Sequence, residues 1–423
     1  MKSHILLKSI VEASKELIHS KEFVNNYRIG NSFSRSRKLS FSNTFYFVLH
    51  SVKRSLSINY AQLRMDLPEL NLPFVSKQAI SKSRQGISYE AFKELFDVSV
   101  RKYYELNANL KKWNGFHIYS IDGSTIQIPN SNENLEIFGT NPNQYQKDGA
   151  LASASILYDV MNDIIVDAKL TKYRSNEREL AKEHINELTL TKNDSNSIIL
   201  FDRGYPSNDI FHYLTNNNLL FLMRLSNSFK SLIFPEPDKV IEYRQRNSKE
   251  SIMLRCIHVQ LPNGTMEYLV TNIMKERLAR SEFKELYFLR WGIESKYREL
   301  KNRLQLEAFS GLKAVSIKQD FYTVMFISNL ASMAKSEADK LVCKQTKSNK
   351  NQKYQANRSF LINKIKNLFI KMLMMESNML EALIITIIDE ASKTLSIIRP
   401  NRRFRRVIKN TRRNQYMHMK PCI

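Results

Sequence analysis

Three short runs constrain this chain more than anything else in it: HIYSID at 117–122, SIILFD at 197–202 and LLFLMRL at 219–225. Each is rich in β-formers and too apolar to leave a face in water, so each must sit inside a sheet covered on both sides. A second β-rich run, STIQI (124–128), follows the first, and a polar loop extends from Pro129 to Asp148. LASASILYDV and IIVDAKL flank a Met161-Asn162-Asp163 turn and read as a hairpin, while SNERELAKEHINEL and NDIFHYLTNN read as helices. Strand-strand-strand-helix-strand-helix-strand predicts a mixed α/β sheet. From Ser226 to about Glu276 alternation returns in KVIEYRQR, SIMLRCIHVQ and MEYLVTNI, a β-rich insertion.

The flanks are helical. In residues 1–112, Phe92, Leu95, Phe96 and Val100 recur at helical spacing after a cap at Ser88. Just before them, PFVSKQAISKSRQG predicts a short recognition-type helix over 77–85. Ser76 would cap it, Ala79 and Ile80 face inward, Lys77, Lys82 and Arg84 face outward, and Gly86 ends it. An ordinary basic surface helix would carry the same pattern. A long helix is predicted from Glu282 to about Gln305, with Phe283, Leu286, Ile293, Tyr297, Leu300 and Leu304 as its buried stripe. The remainder is helical apart from a linker, KQTKSNKNQKYQANRS, and ends in a basic tail, RPNRRFRRVIKNTRRN, which reads as mobile.

Charge narrows the partners. Lys and Arg number 65 against 41 Asp and Glu, a net charge of +24. With 43% hydrophobic residues and 10% aromatics the chain can bury a core. A charge that large on a foldable chain makes a polyanion the expected partner, DNA, RNA or an anionic membrane surface, with a ribosome-associated or merely soluble basic protein as the bland alternative. The basic residues are spread along the chain, not gathered on one amphipathic helix, which disfavours the membrane. IKMLMMESNMLEALIITIIDE, the most apolar late segment, is broken by Glu376 and Glu381, so no membrane-spanning run is expected. The N-terminal apolar stretch is too short for a signal peptide. Cys256, Cys343 and Cys422 are widely spaced with no C-x-x-C, which indicates neither a disulfide framework nor a zinc site and suits a reducing cytoplasm.

Three acids carry the chemistry. Asp122 and Asp202 each end a central strand, and each is followed by a turn containing glycine. One such carboxylate is usually a turn residue. Two at neighbouring strand ends repel unless a cation joins them, and hard oxygen ligands suit Mg²⁺ or Mn²⁺. Glu294, on the long helix, would complete a two-metal site for phosphodiester chemistry. Its surroundings, YFLRWGIESKYRELKNRL, follow Y-x2-R-x3-E-x6-K with Tyr287, Arg290, Glu294 and Lys301. At about 100° per residue, Tyr287, Glu294 and Lys301 fall within roughly 40° of one another, with Arg290 one step aside. One face thus offers a carboxylate flanked by a phenol and two cations, suitable donors to phosphate oxygens. The competing reading is a solvated face stitched by Glu-to-basic pairs, in which Gly292 and Trp291 would be poor choices.

That helix resembles the defining motif of bacterial insertion-sequence DDE transposases, specifically insertion-sequence family four. IDGS (121–124) and FDRGY (201–205) are similar to the family's blocks around its first and second aspartates. LEAFSG (306–311) followed by QDFYTVMFISNLA is similar to its continuation, so the resemblance covers roughly residues 75–335. It implies an RNase H-like mixed-sheet catalytic core over 113–315, the β insertion at about 226–276 included. A helical DNA-end-binding region (1–112) and a helical C-terminal region with its basic tail (316–423) would flank the core. It further implies that Asp122, Asp202 and Glu294 bind two divalent metals, and that Tyr287, Arg290 and Lys301 hold the terminal phosphates. The implied activity is excision and insertion of an insertion sequence through binding of its terminal inverted repeats. The protein would be cytoplasmic and nucleoid-associated, a homodimer when two ends are synapsed. Some relatives stack a flipped base on an aromatic residue of the insertion. No tryptophan lies there, and the role is not assigned among Tyr243, Phe229 and Phe234. A nuclease that never joins would need the same triad without the flanking regions. A domesticated binding protein would show a damaged one.

Overall fold

The computed structural model describes residues 3–35, 37–50, 55–141, 149–191, 196–244, 250–261, 264–347 and 352–399. The N-terminal part is helical, as its periodicity predicts: α1 (Ser3–His19), α2 (Lys21–Tyr27), α3 (Phe41–Leu49), α4 (Leu56–Asp66), α5 (Lys77–Gln85) and α6 (Glu90–Leu106). The middle alternates: β1 (His117–Gln127), α7 (Asn132–Ile137), β2 (Leu151–Asp159), β3 (Ile164–Lys172), α8 (Glu177–Thr191), β4 (Ser197–Phe201), α9 (Asn208–Asn216) and β5 (Leu220–Arg224). Then come β6 (Asp238–Arg244), β7 (Ser251–Gln260), β8 (Met266–Thr271), α10 (Phe283–Leu289), α11 (Trp291–Asn302) and α12 (Ala314–Gln345). The C-terminal part holds β9 (Lys353–Ala356), α13 (Arg358–Met374), α14 (Ser377–Lys393) and β10 (Leu395–Ile398).

Eight strands form one sheet in the order β3-β2-β1-β4-β5-β8-β7-β6. β2 runs antiparallel to β1 and to β3, whereas β4 runs parallel to β1 and to β5. A 3-2-1-4-5 order with those directions is the RNase H-like arrangement. Alternation along the central strands serves two covers. Ile118, Ile198, Leu200 and Leu222 pack with Phe283 and Leu286 of α10. Ile199, Phe201 and Phe221 belong to the main core, which also takes Ile185 of α8 and Phe211 of α9. The insertion does not stand apart. β8 pairs antiparallel with β5, Leu222 opposite Thr271, and the Asn272 side chain bonds both Phe221 N and Leu219 O.

The long predicted helix is interrupted at Arg290. There Arg290 N bonds Tyr287 O and Ile293 N bonds Arg290 O, three-residue spacings that tighten the joint. A buried ion cluster welds α11 to its neighbours. Lys296 reaches Asp163 at 2.5 Å and Glu299 at 3.1 Å, and Arg358 of α13 reaches Glu299 at 2.8 Å.

Several local expectations need correction. HIYSID and STIQI are one continuous strand, the polar loop after it contains α7, and the linker near residue 353 contributes β9, paired with β10. Ser88 caps Glu90 N with its hydroxyl, but Tyr89 is the helix's flanking residue. Arg84 does not face outward. It is 1% exposed, because Ile80 and Arg84 lie one turn apart on the inward face of α5. Its guanidinium is satisfied by Gln319 Oε1 at 2.7 Å, Ser310 Oγ at 2.5 Å, Ser316 O at 2.8 Å and Asp320 Oδ1 at 2.8 Å. Residues 142–148 of the polar loop, 348–351 of the linker, and the basic tail with Cys422 lie outside the described residues.

Candidate active site

The two aspartates are placed by the parallel pair at the sheet's centre. β1 and β4 register Ser120 against Leu200, so two residues further on lie Asp122, midway along the longer β1 and not at its end as expected, and Asp202, just past β4, at one level of the sheet. Asp122 Oδ1 accepts from Gly123 N at 2.9 Å. Burial pushes its carboxyl up to about 6. Asp202 and Glu294 push in the same direction, and the Gly123 N–H and the Arg290 guanidinium oppose them. Asp122 thus senses both other acids of the predicted triad.

Glu294 comes from the first turn of α11, and Arg290 Nη2 donates to its Oε1 at 2.9 Å. An i,i+4 ion pair is what a solvated helix face would also offer. Here Arg290 is only 3% exposed while the Glu294 side chain keeps 37% of its surface open, so the pair joins a buried cation to a half-exposed acid. Arg290 also lies 5.6 Å from the Tyr287 ring, and Asp202 adds to the stabilisation of its charge. Two buried donors beside these acids, Arg290 Nε and the Tyr287 hydroxyl, have no hydrogen-bond partner among the described residues. Burial drives the Tyr287 phenol well above its ordinary range, so it stays protonated as a donor.

Lys301 sits two turns along. Its ammonium donates to Thr125 O at 2.6 Å and lies 3.7 Å from Glu307, whose Oε1 accepts from Gln127 N. It pins the end of β1 beyond Asp122. Gly292 has a packing reason: a Cβ there would meet Val160 Cγ1 at 3.0 Å. Tyr243, Phe229 and Phe234 lie partly buried against the core; Tyr243 bonds Asn208 Oδ1.

Sequence reasoning missed three contributors. Tyr297 appeared only as a stripe residue, yet its hydroxyl donates to Asp122 O and Ala154 O, both at 3.0 Å. Arg178 donates to the carbonyls of Gly204, Tyr205 and Pro206, fixing the turn after Asp202. Glu177 places a carboxylate oxygen 3.1 Å from where a Gly123 Cβ would stand and another 3.7 Å from that of Gly204. Acids and cations in a helix's first turn pass for ordinary dipole and solvent residues, which is why neither signalled.

The donor set has the chemistry of a hard-cation site, carboxylate oxygens with no His or Cys among the three acids. Among the described residues no three His, Cys, Asp or Glu are spaced closely enough to hold an ion as they stand.

An RNase H-like sheet carrying aspartates side by side on its central parallel pair is the architecture of a nucleic-acid-processing enzyme core. Residues 113–330 match the model of the family described as "Transposase DDE domain". The chain belongs to that family. It is similar to "Transposase InsG for insertion sequence element IS4" of Escherichia coli (strain K12), with 21% identity over 280 residues. That alignment covers 62% of this chain and 61% of the relative, so the chain spans about three fifths of its length. A solved structure, "Cryo-EM structure of piggyBac transposase synaptic complex with hairpin DNA (SNHP)", aligns over 89% of this chain and 85% of that one. At 10% identity and a TM-score of 0.45 the likeness is too loose to carry an inference.

Proposed function

We propose that this chain is a DNA transposase that excises and inserts a bacterial insertion sequence by phosphodiester hydrolysis and strand transfer at Asp122, Asp202 and Glu294. The observation that carries the reading is the pair of unpartnered buried donors, Arg290 Nε and the Tyr287 hydroxyl, set beside Asp122, whose carboxyl feels both Asp202 and Glu294. Buried polar groups are ordinarily satisfied, so donors left open next to acids await an anion. A DNA phosphate fits both. Two Mg²⁺ or Mn²⁺ ions held by the three acids would supply the Lewis acidity and the activated nucleophile for the reaction.

The chain's own side chains orient and neutralise. Arg290 and Tyr287 hold non-bridging oxygens of the scissile phosphate, and Lys301 adds positive charge along the strand's path. Water cleaves the transposon end to leave a 3′-hydroxyl. That oxygen then attacks a target phosphodiester, forming the new P–O bond as the target's own bridging P–O bond breaks. Terminal inverted repeats and target DNA are the duplex partners. Two copies of the chain hold the two ends together, in the nucleoid of the cytoplasm. Among the described residues no helix is long and apolar enough to cross a membrane.

The test is strand cleavage and duplex binding measured together. Asp122→Ala, Asp202→Ala or Glu294→Ala should abolish nicking yet leave gel-shift of duplex DNA largely intact, since affinity rests on Lys and Arg contacts to the backbone. A variant nicking at the wild-type rate removes that residue from the site.

A further inference from the structure

We infer that the exposed face of α5, together with the cleft on its flank and the aromatic turn before it, is the surface that docks double-stranded DNA for the active site. The inference rests on the transposase reading and names a surface for it.

α5 buries Ile80 and Arg84 and turns Lys77, Gln78 and Lys82 to solvent. Amide and ammonium side chains on one short helix are the groups that read base edges and grip phosphates in a major groove. On one flank lies a cleft of about 550 Å³, with Arg37, Lys38 and Lys82 on its walls and Leu39, Val75 and Ala79 beneath them. No acid lines it, and Arg37, Lys38, Lys77 and Lys82 form no ion pair among the described residues. Four uncompensated cations in one place favour a polyanion.

The cleft is built, not incidental. Its far wall is lined by Ser32, Phe33, Arg37, Lys38 and Leu39, and the chain just before them is joined to α5's exit by Ile29 N to Gly86 O at 2.8 Å and Ser88 N to Tyr27 O at 2.8 Å. Gly86 is required there, since a Cβ would come within 2.8 Å of Ser32 Cβ. Beside Val75 of the cleft, Phe74 is 82% exposed, which is rare for so large an apolar ring. It is displayed deliberately. Tyr60 OH bonds Pro73 O, Arg64 Nε bonds Leu72 O, and the Arg64 guanidinium lies 3.4 Å from the Phe74 ring centroid. A ring presented this way can lie on a thymine methyl or wedge a base step.

The buried Arg84 cluster then sets the register. Through Ser310 and Asp320 it ties α5 to the segment that follows the catalytic helix, so DNA held on α5 stands in a fixed relation to Glu294.

The test uses the full chain and a pool of duplexes of randomised sequence, from which the chain's preferred duplex is enriched. Binding of enriched and random duplexes is followed against salt, and folding is checked by thermal midpoint. Lys77→Ala, Lys82→Ala and Arg37→Ala should each lower the log–log salt slope by about one. Gln78→Ala and Phe74→Ala should cut the preference for the enriched duplex about tenfold. Lys393→Ala, a remote surface cation paired with Asp389, should change neither. Unchanged slopes and preference in the α5 variants overturn the surface, as does loss of single-stranded RNA or polyglutamate binding with duplex binding intact. Nicking by the wild-type chain separates the two readings. If it persists while the α5 variants behave as wild type, only the docking surface falls. If the wild type neither nicks nor enriches a duplex, the transposase reading falls with it.

Discussion

Arg290 holds Glu294: one guanidinium nitrogen lies 2.9 Å from the carboxylate oxygen that a cation would need. The same guanidinium has a second nitrogen, Nε, unpaired and buried. On the proposed function, a phosphate reaching Arg290 would compete with Glu294 for it and release the carboxylate. DNA and metal should therefore bind cooperatively, each raising the other's affinity by the same factor.

In Arg290→Ala that coupling should vanish, while Mn²⁺ binding without DNA tightens because Glu294 is no longer engaged. Titration calorimetry with and without duplex reads both. Single-turnover cleavage at saturating protein should drop about a hundredfold, since the scissile bond loses its positioning. Lys313→Ala, whose ammonium pairs with Glu133 away from the acids, provides the comparison. Equal small effects at both positions would sink the phosphate role.

Mg²⁺ or Mn²⁺ should raise the thermal midpoint, by about 2–3 kcal/mol of stability at a hundredfold excess over Kd. Chelation should reverse it. Asp122→Asn, which relieves the repulsion without a metal, should be at least as stable as wild type in chelator and gain little from the ions. Undiminished metal stabilisation in that variant would place the ions elsewhere.

Arg84→Ala should cost about 3–5 kcal/mol in denaturant unfolding, because it strands the fully buried Asp320 without its cation. The paired change Arg84→Met with Asp320→Leu should recover much of the loss. No recovery would mean that the remaining partners, Gln319 and Ser310, matter more than the ion pair.

Asp97 offers a pH test far from the acids. Burial lifts its carboxyl to about 6, and Lys93 at 2.6 Å offsets this only in part. A folded-state value above the unfolded one stabilises fully below the unfolded value, near 3.8, and is lost as pH rises through about 6. Asp97→Asn lacks that loss. Its stability relative to wild type should climb by on the order of 2 kcal/mol between pH 4 and 7. A flat difference across that window would contradict the assignment.

The sheet and the placement of Asp122 and Asp202 on its central strands were legible because each rests on a local rule. Runs such as SIILF cannot face water, and the spacing of Tyr287, Arg290 and Glu294 needs only helix geometry. What stayed hidden depends on partners distant in the chain. Arg84 looks like a surface cation until Asp320 and Ser310 fold against it, and Tyr297 looks merely apolar until its hydroxyl meets the Asp122 and Ala154 carbonyls. Gly292 was noticed as a poor helix former, but Val160, which explains it, lies far away in sequence in the turn between β2 and β3.

The β5–β8 ladder has a consequence for anyone wishing to shorten this protein. Excising 226–276 would strip a neighbour from β5, expose a row of backbone groups and remove Asn272's near-adjacent support. A bare, apolar strand edge invites pairing with another chain, so the trimmed protein should precipitate before its catalysis could be judged. The outermost hairpin of β6 and β7 is a different matter. Its rim strand β6 pairs only with β7 among the described strands, so length and sequence can drift there at small cost except at Asp238, which holds the buried Arg255 at 2.8 Å, and at Tyr243, which packs on Phe211. β8 is the seam; β6 is the hem.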